Sequence, residues 1–510
     1  MRHAPLILIA TACAGQLAMQ FLASLLFVPK TQSHPETLGH TAAHGAIANA
    51  TSPEAAEAEP TADKACGPKD HPGSCADLAT FGTALFQQVL RTPRLDGSTD
   101  SEGEENVLIS PLSIGQALAL VSAGATPGST CEAELLDVLG IHRHSGVPLL
   151  TDAILASATT ASTAAKGWLG TAKGKEEQHD TSASSGVRLT THSSIWLRGS
   201  IKASYKERAE MVHRATARPL PRTYAPINEW VDVASNGEIQ NLFDGSEVVD
   251  PSMRVILVNV VYFKGTWTEP FEPSKTEVGV FYKATSEGES KEKVEVKYMK
   301  DRRHVLLHPA QEGLGGATVM KLDYGPVGLP SKFAALFVLP KDDTVESERA
   351  ALDGLVKSSV TELIQGLQYR EVNLSLPKFK LELGTSSLVE ALRSMGLNAM
   401  FDGTKVLSEM SDNPDLHVNE VLHKAVMEVT EEGTTASAAT VITLLGSAWH
   451  PTPPMDLRFD RPFLAMIVHV ETGTPLFLGR VGDPKEVREN WTRKFANNLW
   501  RTTRTTFGKH

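Results

Sequence analysis

The chain has 510 residues, of which 41% are hydrophobic and 21% charged, and its formal net charge is −11. This composition excludes a mostly disordered or collagen-like chain, and the acidic balance argues against nucleic acid as a partner. Four cysteines in a chain of this length exclude a fold built on disulfides. Length alone predicts two to five domains of roughly 100–200 residues each.

The N-terminal segment is typical of secretory targeting. Residues 3–29 contain no Lys, Arg, Asp or Glu and carry two strongly apolar runs. This pattern predicts a signal peptide within residues 1–30, with Ala12-Cys13-Ala14 as one small-residue cleavage site. The run is long enough that an uncleaved signal anchor is the alternative. We therefore expect a secreted, extracellular protein or, if the segment is retained, a membrane-anchored one.

Residues 31–75 are rich in Ala, Thr, Pro, Glu and His and contain almost no large apolar side chain, which predicts a disordered linker. Cys66 and Cys75 lie in this linker and would either pair in an oxidising compartment or remain free thiols.

Three Asn-x-Ser/Thr sequons begin at Asn49, Asn373 and Asn490. Asn49, in the linker, is the best glycosylation acceptor, and Asn490 in the C-terminal segment is a second one. Asn373 begins a strand pattern that could bury it.

Residues 76–484 alternate helix and strand patterns without a repeat or a linker, which predicts one large domain of mixed structure. Helices are predicted over an apolar stripe that begins at Leu78, from the Ser129/Glu132 capping pair to Gly140, and between Thr385 and Gly396. Cys131 would then be a buried small hydrophobe. Predicted strands are 255–263, 333–339, 372–376 and 421–430. The small, polar stretch 150–186 and the acidic stretch 96–105 are predicted to be surface insertions.

Residues 485–510 carry seven Lys/Arg and two Glu, a local charge of +5. Trp491, Phe495 and Leu499 recur every four residues among the basic groups, as in a short amphipathic helix on a membrane or polyanion. A solvated basic tail is the interpretation we favour, with weak membrane or polyanion contact as the alternative.

Motifs for common enzyme chemistry are missing from this sequence. It contains no Gly-x-Ser-x-Gly elbow, Gly-rich phosphate loop, His-Glu-x-x-His or Cys-x-x-Cys. His142 and His144 lie in a loop and are predicted to be solvated rather than metal ligands. We therefore expect neither a catalytic site nor a metal or cofactor.

The most informative segment follows the predicted strand 421–430. From Gly433 to Met455 it has no charged residue, and residues 434–440 are only Thr, Ala and Ser. A flexible low-complexity loop does not explain why β-branched residues resume at Thr440. A strand that slides between two strands of a packed sheet would need small side chains and a pivot at a glycine.

The segment resembles the hinge of the serpin family, Glu-x-Gly-Thr-x-Ala-x-Ala-Ala-Thr, and the residues concerned are Glu431, Glu432, Gly433, Thr434, Ala436, Ala438, Ala439 and Thr440. Residues 106–114, 259–271, 422–425, 461–463 and 475–481 match other family signatures in the expected order. The resemblance covers about residues 76–484. It implies an α+β serpin fold, a single large domain with three β-sheets, about nine helices and an exposed reactive-centre loop.

By the same resemblance, the protein would be a suicide-substrate inhibitor, not an enzyme. Its partner would be a serine protease, held as a covalent acyl complex by a monomeric inhibitor. Four residues resemble the polar shutter cluster beneath the opening strands: Ser110, Ser113, Asn259 and His423. Three resemble the breach at the top of the sheet: Trp267, Lys378 and Glu431. The alternatives are a non-inhibitory carrier, chaperone or storage protein, an inhibitor of papain-like cysteine proteases and a surface-tethered interaction protein.

The position of the scissile bond differs between two ways of counting. The family spacing of 17 from Glu431 indicates cleavage between Ser447 and Ala448, whereas counting back from Pro462-Phe463 indicates Pro451. The loop is four residues longer than the pattern, and we prefer the count from the hinge; Leu445 and Gly446 are alternatives. Because no Lys or Arg lies between residues 431 and 458, a trypsin-like target is disfavoured, and elastase-, subtilisin- or chymotrypsin-like targets are favoured.

Overall fold

The computed structural model describes residues 72–91, 106–141, 146–168, 186–283 with short gaps between 236 and 246, 292–382, 386–434 and 453–484. The described residues all belong to one compact unit. The targeting segment, most of the linker with Asn49 and Cys66, the acidic stretch 96–105 and the C-terminal segment with Asn490 lie outside the described residues. Among the helices described, none has the length and apolarity needed to span a membrane.

Ten α-helices occur in the described part of the chain: α1 Pro72–Arg91, α2 Pro111–Ser122, α3 Thr130–Leu139, α4 Gly146–Trp168, α5 Ala203–Met211, α6 Ala225–Ala234, α7 Val345–Lys357, α8 Val360–Gln365, α9 Val389–Ser394 and α10 Ala399–Asp402. The capping pair predicted for α3 is confirmed, because the Ser129 hydroxyl accepts a hydrogen bond from the Glu132 N–H at 3.2 Å. Gly140 ends that helix in the left-handed conformation, φ +62°. Cys131 is fully buried, as predicted.

The prediction of a surface insertion over residues 150–186 is wrong in its first half. Helix α4 covers residues up to Trp168 and packs on the main core through Val147, Leu150, Ile154 and Ala158. These residues follow the helical spacing of three and four, but small Ala and Thr residues between them obscure the pattern. Helix α1 also begins earlier than predicted, at Pro72, inside the segment interpreted as linker.

Sixteen strands are described: β1 Val107–Ile109, β2 Val187–Leu197, β3 Thr216–Pro219, β4 Val255–Thr266, β5 Glu277–Tyr282, β6 Lys293–Gln311, β7 Ala317–Tyr324, β8 Phe333–Leu339, β9 Gln368–Pro377, β10 Phe379–Glu382, β11 Ser386–Ser387, β12 Val418–Val429, β13 Gly433–Thr434, β14 Met455–Arg458, β15 Phe463–His469 and β16 Thr474–Val481. They form a nine-stranded sheet, β1-β16-β15-β8-β7-β6-β9-β14 with β5 on β6, and a seven-stranded sheet, β10-β12-β4-β2-β3 with β11 on β12 and β13 on β4. The resemblance implies three sheets, but two of them are continuous here. The long strand β6 connects them, because it pairs with β5 and β9 along one part of its length and with β7 along another.

The seven-stranded sheet is buried on both faces around β4. Val255, Leu257, Val261 and Phe263 belong to the main hydrophobic core on one face. The intervening residues Ile256, Val258 and Val260 pack in a second cluster with Ile227 and Val231 of α6 on the other face. This alternation explains why residues 255–263 form a continuous apolar run in the sequence.

Candidate functional site

The site lies along the seam between β12 and β4. These two strands run parallel, from the pair Val418/Val255 to the pair Ala425/Val261. Their outer neighbours β10 and β2 are antiparallel to them. A strand running in the opposite direction between β12 and β4 would be antiparallel to both, and antiparallel pairing is slightly more stable per residue.

The hinge residues Gly433 and Thr434 form the start of such a strand. After β12 the chain reverses in a tight turn, in which the Thr430 N–H donates to the Gly433 carbonyl at 2.9 Å and the Gly433 N–H to the Thr430 carbonyl at 3.2 Å. Gly433 then pairs antiparallel with Thr266, and Thr434 with Gly265 of β4. The direction needed for an inserted strand is therefore already established at the top of the seam.

Gly433, the predicted pivot, has a backbone conformation that favours glycine. Its φ is +135°, which L-residues with a side chain rarely adopt. A Cβ at this position would overlap the Gly265 carbonyl oxygen and lie 2.8 Å from both the Thr266 Cα and the Trp267 nitrogen. Only glycine fits between the turn and β4.

Lys378 and Glu431, two of the predicted breach residues, form an ion pair at the top of the sheet. The Lys378 Nζ lies 2.8 Å from Glu431 Oε2, and the side chains are only 23% and 11% exposed. The Thr276 hydroxyl donates to the other Glu431 oxygen at 2.8 Å. Burial would raise the pKa of Glu431, but the hydrogen bonds from Lys378 and Thr276 outweigh it and hold this pKa below its ordinary value.

Trp267, the third predicted breach residue, follows β4 and forms hydrogen bonds to the same turn. Its indole N–H donates to the Thr430 carbonyl at 3.0 Å, and its backbone N–H donates to the Glu432 carbonyl at 2.9 Å. The indole is 3% exposed and stacks on Tyr324 with ring centroids 4.4 Å apart. The turn of residues 430–433 is thus held by a rigid aromatic pair.

The four predicted shutter residues lie together where the seam meets the N-terminus of α2. Ser110 caps this helix, and its hydroxyl accepts from the Ser113 N–H. Asn259 bonds the Ser113 hydroxyl through its carbonyl oxygen and donates to the Ser193 hydroxyl at 2.8 Å. His423 accepts from the Ser110 N–H through Nε2 at 3.0 Å.

His423 and Asn259 are opposite each other across the seam, yet each is tied to α2 rather than to the other. The strands can therefore separate without breaking a direct hydrogen bond between these two side chains, judged by the bonds described. His423 is fully buried, and burial lowers its pKa from 6.5 to about 3. It is therefore a neutral imidazole that accepts one backbone hydrogen bond.

The sequence motifs did not identify Thr276, Ser193 or Tyr324, which complete these contacts. Each lies on a separate strand or turn, and only the register of the folded sheet brings it to the site. Some predicted site residues lie outside the described residues. They are the hinge residues Ala436, Ala438, Ala439 and Thr440 and the candidate scissile residues Leu445, Gly446, Ser447 and Ala448. Within the described part, no three His, Cys, Asp or Glu side chains converge as metal ligands would.

The sequence and the fold of this chain are similar to those of one known protein family. Residues 78–484 match the family model described as Serpin (serine protease inhibitor). "Serine proteinase inhibitor 2.4" of Apodemus sylvaticus is 31% identical over 75% of this chain and 84% of its own length. "Corticosteroid-binding globulin" of Oryctolagus cuniculus is 31% identical over 79% of this chain and 94% of its own length. The native stressed structure of Arabidopsis AtSerpin1 is 24% identical, with TM-score 0.61 over 80% of this chain and 98% of its own.

Proposed function

This chain belongs to the serpin family, and we propose that it is an irreversible suicide-substrate inhibitor of serine proteases. The relative from Apodemus sylvaticus is named as a serine proteinase inhibitor, whereas the relative from Oryctolagus cuniculus is named as a corticosteroid-binding globulin. The observation that carries the proposal is the pairing of Gly433 and Thr434 with β4, next to a parallel seam. This arrangement is the starting geometry for insertion of the segment that follows.

The register of β13 predicts where each following residue would pair if insertion continued. Gly433 opposes Thr266 and Thr434 opposes Gly265, so Ala436 would oppose Phe263, Ala438 would oppose Val261, and Thr440 would oppose Asn259. Those positions of β4 are all buried. Small side chains at positions 436, 438 and 440 can enter this core, whereas a charged side chain there would be buried without a partner.

The same register supports the count of the scissile bond from the hinge. Residue 444 would oppose Val255, the first residue of β4, so residues 433–444 would fill the whole strand over about 40 Å at roughly 3.3 Å per residue. Leu445, Gly446 and Ser447 would then extend just past the far end of the sheet. A bond at Pro451 would leave four more residues outside it, and we therefore propose Ser447–Ala448.

The chemistry proposed is that of an interrupted peptide hydrolysis. The hydroxyl of the protease serine attacks the Ser447 carbonyl, the peptide bond to Ala448 breaks, and the amine leaves with its proton. The acyl-enzyme ester is then drawn to the other end of the sheet as the loop inserts. Removing one oxyanion-hole donor alone costs on the order of a hundredfold or more in rate, so a distorted site hydrolyses the ester slowly.

The target that this loop fits best has a small or apolar primary-specificity pocket. Ser447 suits elastase-like or subtilisin-like enzymes, and Leu445 would suit chymotrypsin-like ones. The Leu445-Gly446 pair keeps papain-like cysteine proteases as a second class of target. A carrier role, as the name of the rabbit relative suggests for that protein, is less compatible with a hinge composed of Ala, Ser and Thr.

The remaining proposals concern location and partners. We propose that the inhibitor is secreted as a monomer after removal of residues 1–30, and that its basic C-terminus makes at most weak contact with membranes or polyanions. No cofactor takes part in the proposed mechanism.

A protease panel tests the function. The full chain is incubated with elastase, subtilisin, chymotrypsin and papain, with trypsin as the control, and analysed on SDS gels. We expect an SDS-resistant complex with at least one of the three favoured serine proteases. The released C-terminal peptide should begin at Ala448 with elastase or subtilisin, and at Gly446 with chymotrypsin if that enzyme cleaves after Leu445. Cleavage by all of them without any complex would overturn inhibition and favour the carrier function.

A further inference from the structure

The sequon Asn373-Leu374-Ser375 lies on β9, where alternate residues point to opposite faces of the sheet. Val372, Leu374 and Leu376 are buried in the main core, as the sequence predicted. Asn373 is on the other face and is exposed. The suggestion that its strand could bury it is therefore wrong, because burial alternates along β9 and the asparagine is on the solvent side.

We propose that Asn373 is an N-glycosylation site of the folded protein. An Asn-x-Ser sequon directs a bulky, hydrophilic glycan to surface positions. The proposal depends on the proposed secretory route, because the chain must pass through a compartment that attaches such glycans. It does not depend on the inhibitory function.

The surroundings of Asn373 can accept a glycan without disturbing the core. Its neighbour across the strand pair with β6 is Arg302, whose side chain is 63% exposed and bonded to Glu371. Its neighbour on β14 is Asp456, and the Asn373 Nδ2 donates to the Asp456 carboxylate at 2.8 Å. A glycosylated asparagine keeps one N–H on this nitrogen, so the hydrogen bond to Asp456 can persist. Both of these neighbours, Arg302 and Asp456, are polar.

A glycan on Asn373 would lie next to the strand that follows the proposed reactive loop. Strand β14 is the first strand after that segment, and it is the last strand of the nine-stranded sheet among those described. A glycan on β9 would therefore stand beside an edge strand.

Peptide mapping of the full chain, expressed in eukaryotic cells, tests the site. Enzymatic removal of N-glycans in H₂¹⁸O converts each occupied asparagine into a labelled aspartate. We expect label at Asn373 in more than half of the molecules, and a gel mobility shift of one glycan that is lost in Asn373→Gln and Ser375→Ala. Ser375→Thr keeps the sequon and should keep the shift. The glycan should also be removable without denaturation, since Asn373 is exposed.

Two other sequons make the outcomes distinguishable. Label at Asn49 or Asn490 with none at Asn373 would show passage through the glycosylating compartment and overturn the proposal. A chain that is retained in the cytosol and carries no label at all would overturn the secretory route and the glycan together. Complex formation with a protease, measured on the same preparations, would still report on the inhibitory function independently.

Discussion

Gly433 of the turn and Gly265 of β4 lie so close together that a side chain on either glycine would collide with its neighbours at the top of the sheet. The two residues belong to adjacent pairs of the short β13–β4 ladder. A Cβ on Gly433 would overlap the Gly265 carbonyl, and a Cβ on Gly265 would lie 2.7 Å from a ring carbon of Tyr324. Glycine at position 433 therefore lets the turn lie against β4, and glycine at position 265 leaves room for the ring of Tyr324.

Gly433→Ala should therefore impair the first step of insertion. The positive φ costs roughly 1–3 kcal/mol, and the overlap with β4 adds to it. We expect the fraction of protease encounters that end in cleavage without a complex to rise several-fold, measured as the stoichiometry of inhibition. Gly128→Ala is the control, because Gly128 has φ +71° but a Cβ there would have no neighbouring atom within 4 Å. Equal effects of both substitutions would contradict the role of the contact with β4.

Reversing one charge of the Lys378–Glu431 pair should favour premature rearrangement of the sheet. Glu431→Lys places two ammonium groups together in a site that is largely buried, and breaking a buried pair costs up to about 3–5 kcal/mol. We expect a lower thermal midpoint and polymers on native gels after mild heating. The double variant Lys378→Glu/Glu431→Lys restores opposite charges and should recover much of the loss. A monomeric Glu431→Lys protein with normal heat stability would contradict the pairing.

Acid should weaken the fold through His423. The pKa of this residue is lowered to about 3 in the folded protein, so the unfolded chain binds the proton more readily at every pH between about 3 and 6.5. The contribution of His423 to stability is therefore full above pH 6.5 and is lost as the pH drops, by roughly 5 kcal/mol at most at 1.36 kcal/mol per unit. Burial also lowers the pKa of His469, to about 4, which adds to the slope in the same direction. Urea midpoints measured across this range check the slope. His423→Gln can still accept the hydrogen bond from Ser110, and its unfolding midpoint should depend less on pH. An unchanged dependence on pH would show that other groups cause the acid sensitivity.

A pair of adjacent carboxylates tests the predicted register. Ala436→Glu would place a charge opposite buried Phe263, whereas Thr435→Glu would place the same charge opposite half-buried Lys264. We expect Ala436→Glu to convert the protein into a substrate that is cleaved without complex formation, and Thr435→Glu to inhibit nearly as the unmodified protein does. If Thr435→Glu abolished complex formation and Ala436→Glu did not, the true register would differ from the predicted one by one residue.

The scissile bond can be tested by changing the target. Ser447→Arg supplies the side chain that trypsin requires at the position fixed by the count from the hinge. We expect an SDS-resistant trypsin complex that the unmodified protein does not form. The matched substitution Pro451→Arg should be cleaved by trypsin with far less complex, because its bond is four residues further along. Preferential trapping by Pro451→Arg would support the count from Pro462.

Local sequence predicted the elements whose periodicity is strong. The strand 333–339 is found at the residues predicted, and the capping pair of Ser129 begins α3 as expected. Helix α4 was missed because its apolar residues are separated by small ones that fit equally well in a loop. The contacts of Thr276 with Glu431 and of Ser193 with Asn259 join segments more than 60 residues apart, and the register that joins them exists only in the folded sheet. Motif resemblance found one partner of each contact, and the fold supplied the other.

The two-residue strand β13 has a kinetic consequence. Starting a new strand usually requires ordering several residues before any ladder forms, but here the first two pairs with β4 are present before any protease arrives. In the proposed mechanism the cleaved loop would need only to lengthen an existing ladder, and from residue 438 onwards each residue added would separate the next pair of β12 and β4. In that mechanism the competition between trapping and hydrolysis would be set by how fast the parallel pairs separate, from Ala425/Val261 downwards, and not by a search for the starting position.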